Sequence, residues 1–303
     1  MFILFFILIG AVAYVINLLF FQGYLFIIVA AIIAIIFSLI SYYSGDKIVL
    51  SMVKAREANK KDHAHLINSV EGLSIAAGIP SPKVYVIPGM QINAFACGVS
   101  PKKASVAFTE GSLQKLNRQE LEGVIAHELS HIKNYDIRVM VLASVLVGII
   151  VFASEIMLRS FIFGGVRSNE NKGGSAQIIL IAVGVVLLIL APIVAQIIKF
   201  AISRKREYLA DASGALLTRY PKGLADALRK IKADHEELRT ASNATAHMFI
   251  SNPFKKKQWL VTLFSTHPDV NDRIKKLDSM YKFHVTKLFH KFILDICNSF
   301  FRI

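Results

Sequence analysis

Residues 1–45 carry no charged side chain. No folded domain in water accommodates an uninterrupted run of that length, so it constrains the chain more than any other feature. Residues 2–20 and 24–40 each approach the ~20 apolar residues with which a helix crosses a bilayer. Gln22-Gly23 joins them. In hydrocarbon the backbone must satisfy its own hydrogen bonds, which predicts two helices. The run has neither a basic leader segment nor a small-residue cleavage site, so it reads as a retained helical hairpin. Lys47, Lys54, Arg56, Lys60 and Lys61 follow it. By the charge bias of membrane proteins they place the N-terminus and the next stretch in the cytoplasm.

A second uncharged pair lies at 139–154 and 178–195, separated by a glycine-rich polar loop and followed by Lys199, Arg204, Lys205 and Arg206. The first member is short, so a buried core hairpin competes with spanning helices here. Spanning or embedded helices are the expectation, giving about four hydrophobic helices in all. The chain is 54% hydrophobic with a net charge of +14. That charge could indicate nucleic acid, but no nucleic-acid motif is present and the basic clusters flank apolar segments. A lipid bilayer is the partner they predict. Cys97 and Cys297 cannot form a disulfide scaffold, which suits a reducing compartment.

Between the apolar pairs the chain is of ordinary polarity. Residues 46–80 read as a helix stopped by Gly78-Ile79-Pro80. Residues 83–87, 91–97 and 104–109 read as short strands, with a turn over 98–101. Then comes His127-Glu128-Leu129-Ser130-His131. On a helix, residues four apart share a face, so both imidazoles can bind one metal ion. A divalent metal acidifies a water there, and Glu128, beside the first ligand, can take its proton. Chance matches to so short a pattern occur, and the context counts against one. Asn117 is a fit N-cap with Glu120 three residues on, and Leu121, Val124, Ile125, Leu129 and Ile132 form an apolar stripe.

Zn²⁺ suits two histidines plus one further protein ligand. Glu207, four residues before Asp211 on a predicted helix, is the best candidate for a His₂Glu site, and Asp211 could steady a ligand imidazole. A solvated face salt-bridged to Arg204 and Arg206 is the competing reading. The strand carrying Asn93, Ala94, Phe95 and Ala96 could pair with an extended peptide beside the metal, or simply pack the sheet.

Together these features resemble the HtpX-type membrane zinc metalloproteases, relatives of the prenylated-protein (CAAX) endoproteases. The resemblance runs over residues 1–280: the apolar hairpin, Asn93-Ala94-Phe95-Ala96, His127 to His131 with Asn134 and Asp136, a second apolar pair, Arg206 to Asp211, and Thr266-His267-Pro268 with Arg273. It implies one zinc per chain bound by His127, His131 and Glu207. It makes Glu128 the general base and acid, Asp211 an orienting group, His267 a hydrogen-bond donor to the oxyanion, and Asn93 to Ala96 the strand that binds substrate. It implies cleavage of misfolded or damaged membrane proteins under stress, at the cytoplasmic face of a prokaryotic plasma membrane. A CAAX-type processing protease and a non-catalytic membrane adaptor are the alternatives.

The expected fold is mainly α with a small β-sheet, a gluzincin-like integral membrane protein. A transmembrane hairpin (1–45) precedes the first protease part (46–138). The second hydrophobic pair (139–200), the second protease part (201–280) and a basic, aromatic tail (281–303) follow. The tail interleaves Lys282, Lys287 and Lys291 with Phe283, Phe289 and Phe292, as an amphipathic helix on a membrane surface would; a packing extension of the domain is the equal alternative.

Overall fold

The computed structural model describes residues 28, 32, 36, 43–141, 204–242, 244–254 and 268–282. The expected hairpin, most of the second apolar pair, His267 and the tail beyond 282 lie outside the described residues. Among the described residues no helix is long and apolar enough to cross a membrane.

The expected single helix over 46–80 is two helical stretches. Residues 43–52 are helical and the chain then breaks at Lys54, whose φ is 55°. A two-residue strand, β1 (Arg56–Glu57), follows and pairs antiparallel with β2 (Lys83–Ile87). Helix α1 (Lys60–Ala77) starts afresh at Asn59, whose side chain accepts the Asp62 N–H at 2.9 Å. Pairing with β2 outweighs helix propensity over these residues, a long-range effect that local pattern does not report. Helix α1 ends as expected at Gly78, in the left-handed region at φ 71°.

Strands β3 (Ala94–Ser100) and β4 (Lys103–Thr109) form an antiparallel hairpin, and β4 also pairs parallel with β2, giving the order β1-β2-β4-β3. The expected turn over 98–101 is partly strand, with an irregularity between Gly98 and Ser100. The sheet is buried on both faces. Ala94 and Ala96 join Val106, Phe108 and the helices on one side; Phe95 and Cys97 join Val49, Leu50, Met140 and Phe249 on the other.

Helix α2 (Glu110–Lys115) leads into α3 (Arg118–Lys133). The capping box forms as predicted: the Glu120 N–H donates to Asn117 Oδ1 at 2.9 Å, and the Asn117 N–H donates to Glu120 Oε2 at 2.7 Å. Helix α3 is the axis of the fold. It packs against α1, β3, α4 (Arg204–Thr218) and α5 (Pro221–Ala233). The chain on either side of the second apolar pair is thereby joined into one core.

Helices α3 and α5 meet at two glycines. A Cβ on Gly123 would stand 2.6 Å from the Leu224 nitrogen, and one on Gly223 would stand 2.5 Å from the Gln119 oxygen. Both obstacles are backbone, which cannot rotate away. Gly123→Ala is therefore expected to destabilise by about 1–3 kcal/mol through overpacking, although alanine is the better helix former. Thermal unfolding checks this; an unchanged or higher melting temperature would refute so close a crossing.

Candidate metal centre

His127 and His131 stand one turn apart on α3, 1% and 3% exposed, with their Nε2 atoms 3.2 Å apart. Glu207, in the first turn of α4 and 0% exposed, brings Oε1 to 3.4 Å from His131 Nε2 and Oε2 to 3.7 Å from His127 Nε2. These three residues can hold one metal ion. A tetrahedral ion with bonds of about 2.05 Å sets its ligand atoms about 3.3 Å apart. The three separations lie around that value, so the donors fit such an ion in both type and spacing.

Each imidazole is held from behind by a carboxylate. His127 Nδ1 lies 3.0 Å from Asp211 Oδ1, and His131 Nδ1 lies 3.0 Å from Asp136 Oδ2. An ionised carboxylate can only accept, so each Nδ1–H donates, and Nε2 is the nitrogen of each ring left facing the shared point. Asp211 follows Glu207 by one turn on α4. The two carboxylates thus point the same way and are nearly unexposed, at 3% and 0%. A solvated, salt-bridged face is excluded. Arg206 pairs instead with Asp136.

Behind Asp211 is Arg273, 0% exposed, on the helix over 270–282. Its Nε donates to Asp211 Oδ2 at 2.8 Å and its Nη2 to Oδ1 at 2.7 Å, a two-pronged pair, while Nη1 lies 3.4 Å from Glu207 Oε2. Burial alone would raise the Asp211 pKa; the Arg273 guanidinium instead brings it down to about 2. Burial keeps His127 below its usual value against the pull of Asp211. Burial also opposes charge on His131, yet hydrogen bonds to Asp136 and Glu207 raise it to about 10. The buried carboxylates therefore call for a cation at the Nε2 positions, which is what a divalent metal brings.

Glu128, next to His127 on α3, is 2% exposed. Burial pushes its carboxyl up to about 7, with Glu207 adding to the rise and His131, Arg273 and the Ala96 N–H opposing it. The Ala96 amide of β3 thus faces this carboxylate. A carboxyl poised near neutrality can both take and return a proton.

Ala94, Phe95 and Ala96 lie in β3, at the edge of the sheet. Asn93 precedes the strand and is fully engaged. Its Nδ2 donates to Gln91 Oε1 at 2.9 Å and Ser251 O at 3.0 Å, and its Oδ1 accepts from the Ala94 and Ser251 N–H groups at 3.1 and 3.3 Å. Sequence reasoning gave no role to Asp136 or Arg273 beyond their place in the resemblance. Asp136 left a trace, as a carboxylate five residues beyond His131. Arg273 left none, because its partners come from other helices.

The profile of Peptidase family M48 matches residues 60–281. A protein named Protease HtpX homolog from Caldanaerobacter subterraneus subsp. tengcongensis is 47% identical over 279 residues, 92% of each chain. One of the same name from Dictyoglomus thermophilum is 46% identical over 274 residues, 90% of this chain and 88% of the relative. A crystal structure of S. mikatae Ste24p, 19% identical, overlays with a TM-score of 0.47, covering 88% of this chain and 62% of its own.

Proposed function

The chain belongs to peptidase family M48 and is a metalloendopeptidase; from that premise we propose a zinc enzyme anchored in a prokaryotic plasma membrane that cuts damaged membrane proteins at the cytoplasmic face. The observation that carries the reading is the convergence of His127 Nε2, His131 Nε2 and Glu207 within the spacing of one ion, with Glu128 alongside. Zinc held there would supply a Lewis acid that polarises the scissile carbonyl and acidifies water.

The chain's own residues account for the remaining steps. Glu128 takes the proton of the attacking water and returns it to the leaving amine nitrogen. Asp211 and Asp136 hold the two imidazoles in the tautomer that leaves Nε2 bare. Arg273 keeps Asp211 ionised. His267, by the resemblance, offers a hydrogen bond to the oxyanion as it forms. The β3 edge carries the peptide by main-chain pairing.

In this proposal residues 1–45 and 139–200 anchor the enzyme, residues 46–138 and 201–280 form the peptidase, and 281–303 lies on the lipid surface. The charge-free runs and the basic clusters that flank them support the anchors. The packing of α3 against α4 across the intervening apolar pair supports the two-part peptidase.

Metal analysis of detergent-purified protein tests the centre. Wild type is expected to hold about one zinc per chain, the stoichiometry of a His₂Glu site. Glu207→Ala, with one of three protein ligands gone, is expected to lose it or bind it at least about tenfold more weakly. Wild type without zinc after reloading would rule the centre out and leave a non-catalytic membrane protein.

A further inference from the structure

The proposed reading anchors the enzyme through its two apolar stretches, and the inference here rests on that reading. The peptidase meets those stretches at three places: Tyr43 just after the first, Val141 on entering the second pair, and Arg204 just after it. Nothing in the sequence requires the three to lie together. In the structure a series of contacts links them through the turn between β3 and β4. Lys103, at one end of that turn, holds its Nζ 5.2 Å from the centre of the Tyr43 ring. The Val99 carbonyl, at the other end, accepts from Arg138 Nε, three residues before Val141. Asp136 pairs with Arg206, two residues after Arg204. The helix over 43–52 and residues 136–141 also share one buried cluster, which joins Val49, Leu50 and Val53 to Met140 and Val141.

This end of the domain carries a particular set of side chains. Tyr43 and Tyr135 are 62% and 46% exposed. Each has a cation over its ring, Lys103 for the first and Arg138, at 4.5 Å, for the second. Exposed Lys102 adjoins Lys103, exposed Lys205 adjoins Arg206, and exposed Lys47 follows Tyr43 by one helical turn. On the acidic side stand Asp46, half-buried, and Asp136, already engaged by His131 and Arg206. Either the rings or the charges alone would suit a face in water. Tyrosines and basic side chains together, at the very junctions with charge-free apolar runs, match the boundary between bilayer and water, where rings sit at headgroup level and cations meet phosphate.

We propose that the β3–β4 turn, Tyr43, Tyr135 and Arg138 form a seat in the headgroup layer, with Lys102, Lys103 and Arg138 on the phosphates of anionic phospholipid. The seat fixes the height of the metal centre above the bilayer. His131 precedes Tyr135 by four residues, which span at most about 14 Å. Asp136 moreover touches both His131 and Arg206. A substrate segment leaving the bilayer therefore reaches the centre within about five extended residues. Bonds next to a membrane-embedded segment are favoured over bonds far out in a loop.

Depth-sensitive quenching tests the seat. Full-length, zinc-loaded protein is placed in vesicles of phosphatidylcholine and phosphatidylglycerol in which some headgroups carry a nitroxide. Cys297→Ser removes one thiol, and Cys97, 0% exposed, does not react. A fluorophore is then attached at Lys102→Cys or at Gln114→Cys. Gln114 is exposed on α2, past the far end of β4 and so about 20 Å of strand from the turn. Quenching at position 102 is expected to be at least about threefold stronger than at 114, since the Debye length and the reach of a headgroup are both near 10 Å. The contrast should shrink in vesicles of phosphatidylcholine alone, and also when Lys103→Glu is added. Equal quenching at the two positions, in protein that floats with the vesicles, would overturn the seat and leave the anchors standing. Protein that does not float with vesicles would overturn the anchors, and the seat with them. A contrast unchanged in neutral vesicles and in Lys103→Glu would overturn the part given to anionic lipid.

Discussion

Glu128→Gln is expected to keep its zinc and to lose about 10²–10⁴-fold in kcat/KM, the usual contribution of a positioned general base. Glu128 is adjacent in sequence to His127 but is not one of the three residues that can hold the ion. Replacing it leaves His127, His131, Glu207 and the carboxylates behind them untouched. Glutamine has nearly the same shape, so packing around the position is kept. What vanishes is the basic site whose carboxyl burial has raised to about 7. Metal content and cleavage of an unfolded polypeptide, measured on one preparation, separate the two effects. Wild-type turnover in the variant would show that the proton goes elsewhere. Loss of zinc together with activity would show that Glu128 helps to hold the metal.

Arg273→Ala is expected to lower stability by about 3–5 kcal/mol, because it strands buried carboxylates without their cation. The guanidinium is the two-pronged partner of Asp211 and lies 3.4 Å from Glu207. Without it Asp211 must either stay charged in the interior or take up a proton and slacken its hold on His127. Arg273→Lys should fall between wild type and alanine, since an ammonium restores the charge but not the planar fork. Added zinc should recover part of the loss in Arg273→Ala, as a bound cation compensates Glu207 but not Asp211. Melting curves with and without zinc read all three. A melting temperature for Arg273→Ala equal to wild type would mean that the site's carboxylates are neutralised by other groups.

Legibility of the site in the sequence followed the range of each interaction. The pairing of His127 with His131 and the capping by Asn117 and Glu120 needed only the helical repeat. Glu207 and Asp211 were legible as a pair on one face, but their spacing suits a solvated surface equally well. Helix α4 packing on α3 is what turned that face inward. The single helix expected over 46–80 gave way to β1 because the strand it pairs with begins only at Lys83. Asn93 was legible as the start of a strand, and the partners of its side-chain amide, Gln91, Ala94 and Ser251, were not, because Ser251 is 158 positions away.

The sequence by itself determined the charge-free apolar runs, the two histidines on one helical turn with an acid between them, and a carboxylate pair suited to complete their site. These are local properties, set by side-chain hydrophobicity and by the 3.6-residue repeat of the backbone. Only the tertiary structure decided that Glu207 faces the two histidines, that Asp136 and Asp211 hold their rings, and that Arg273 is buried against Asp211, 62 positions away. It also decided that the Ile250 N–H bonds the Ala94 carbonyl at the start of β3. Each of these depends on the path of the chain between distant segments, and short-range spacing carries no record of that path.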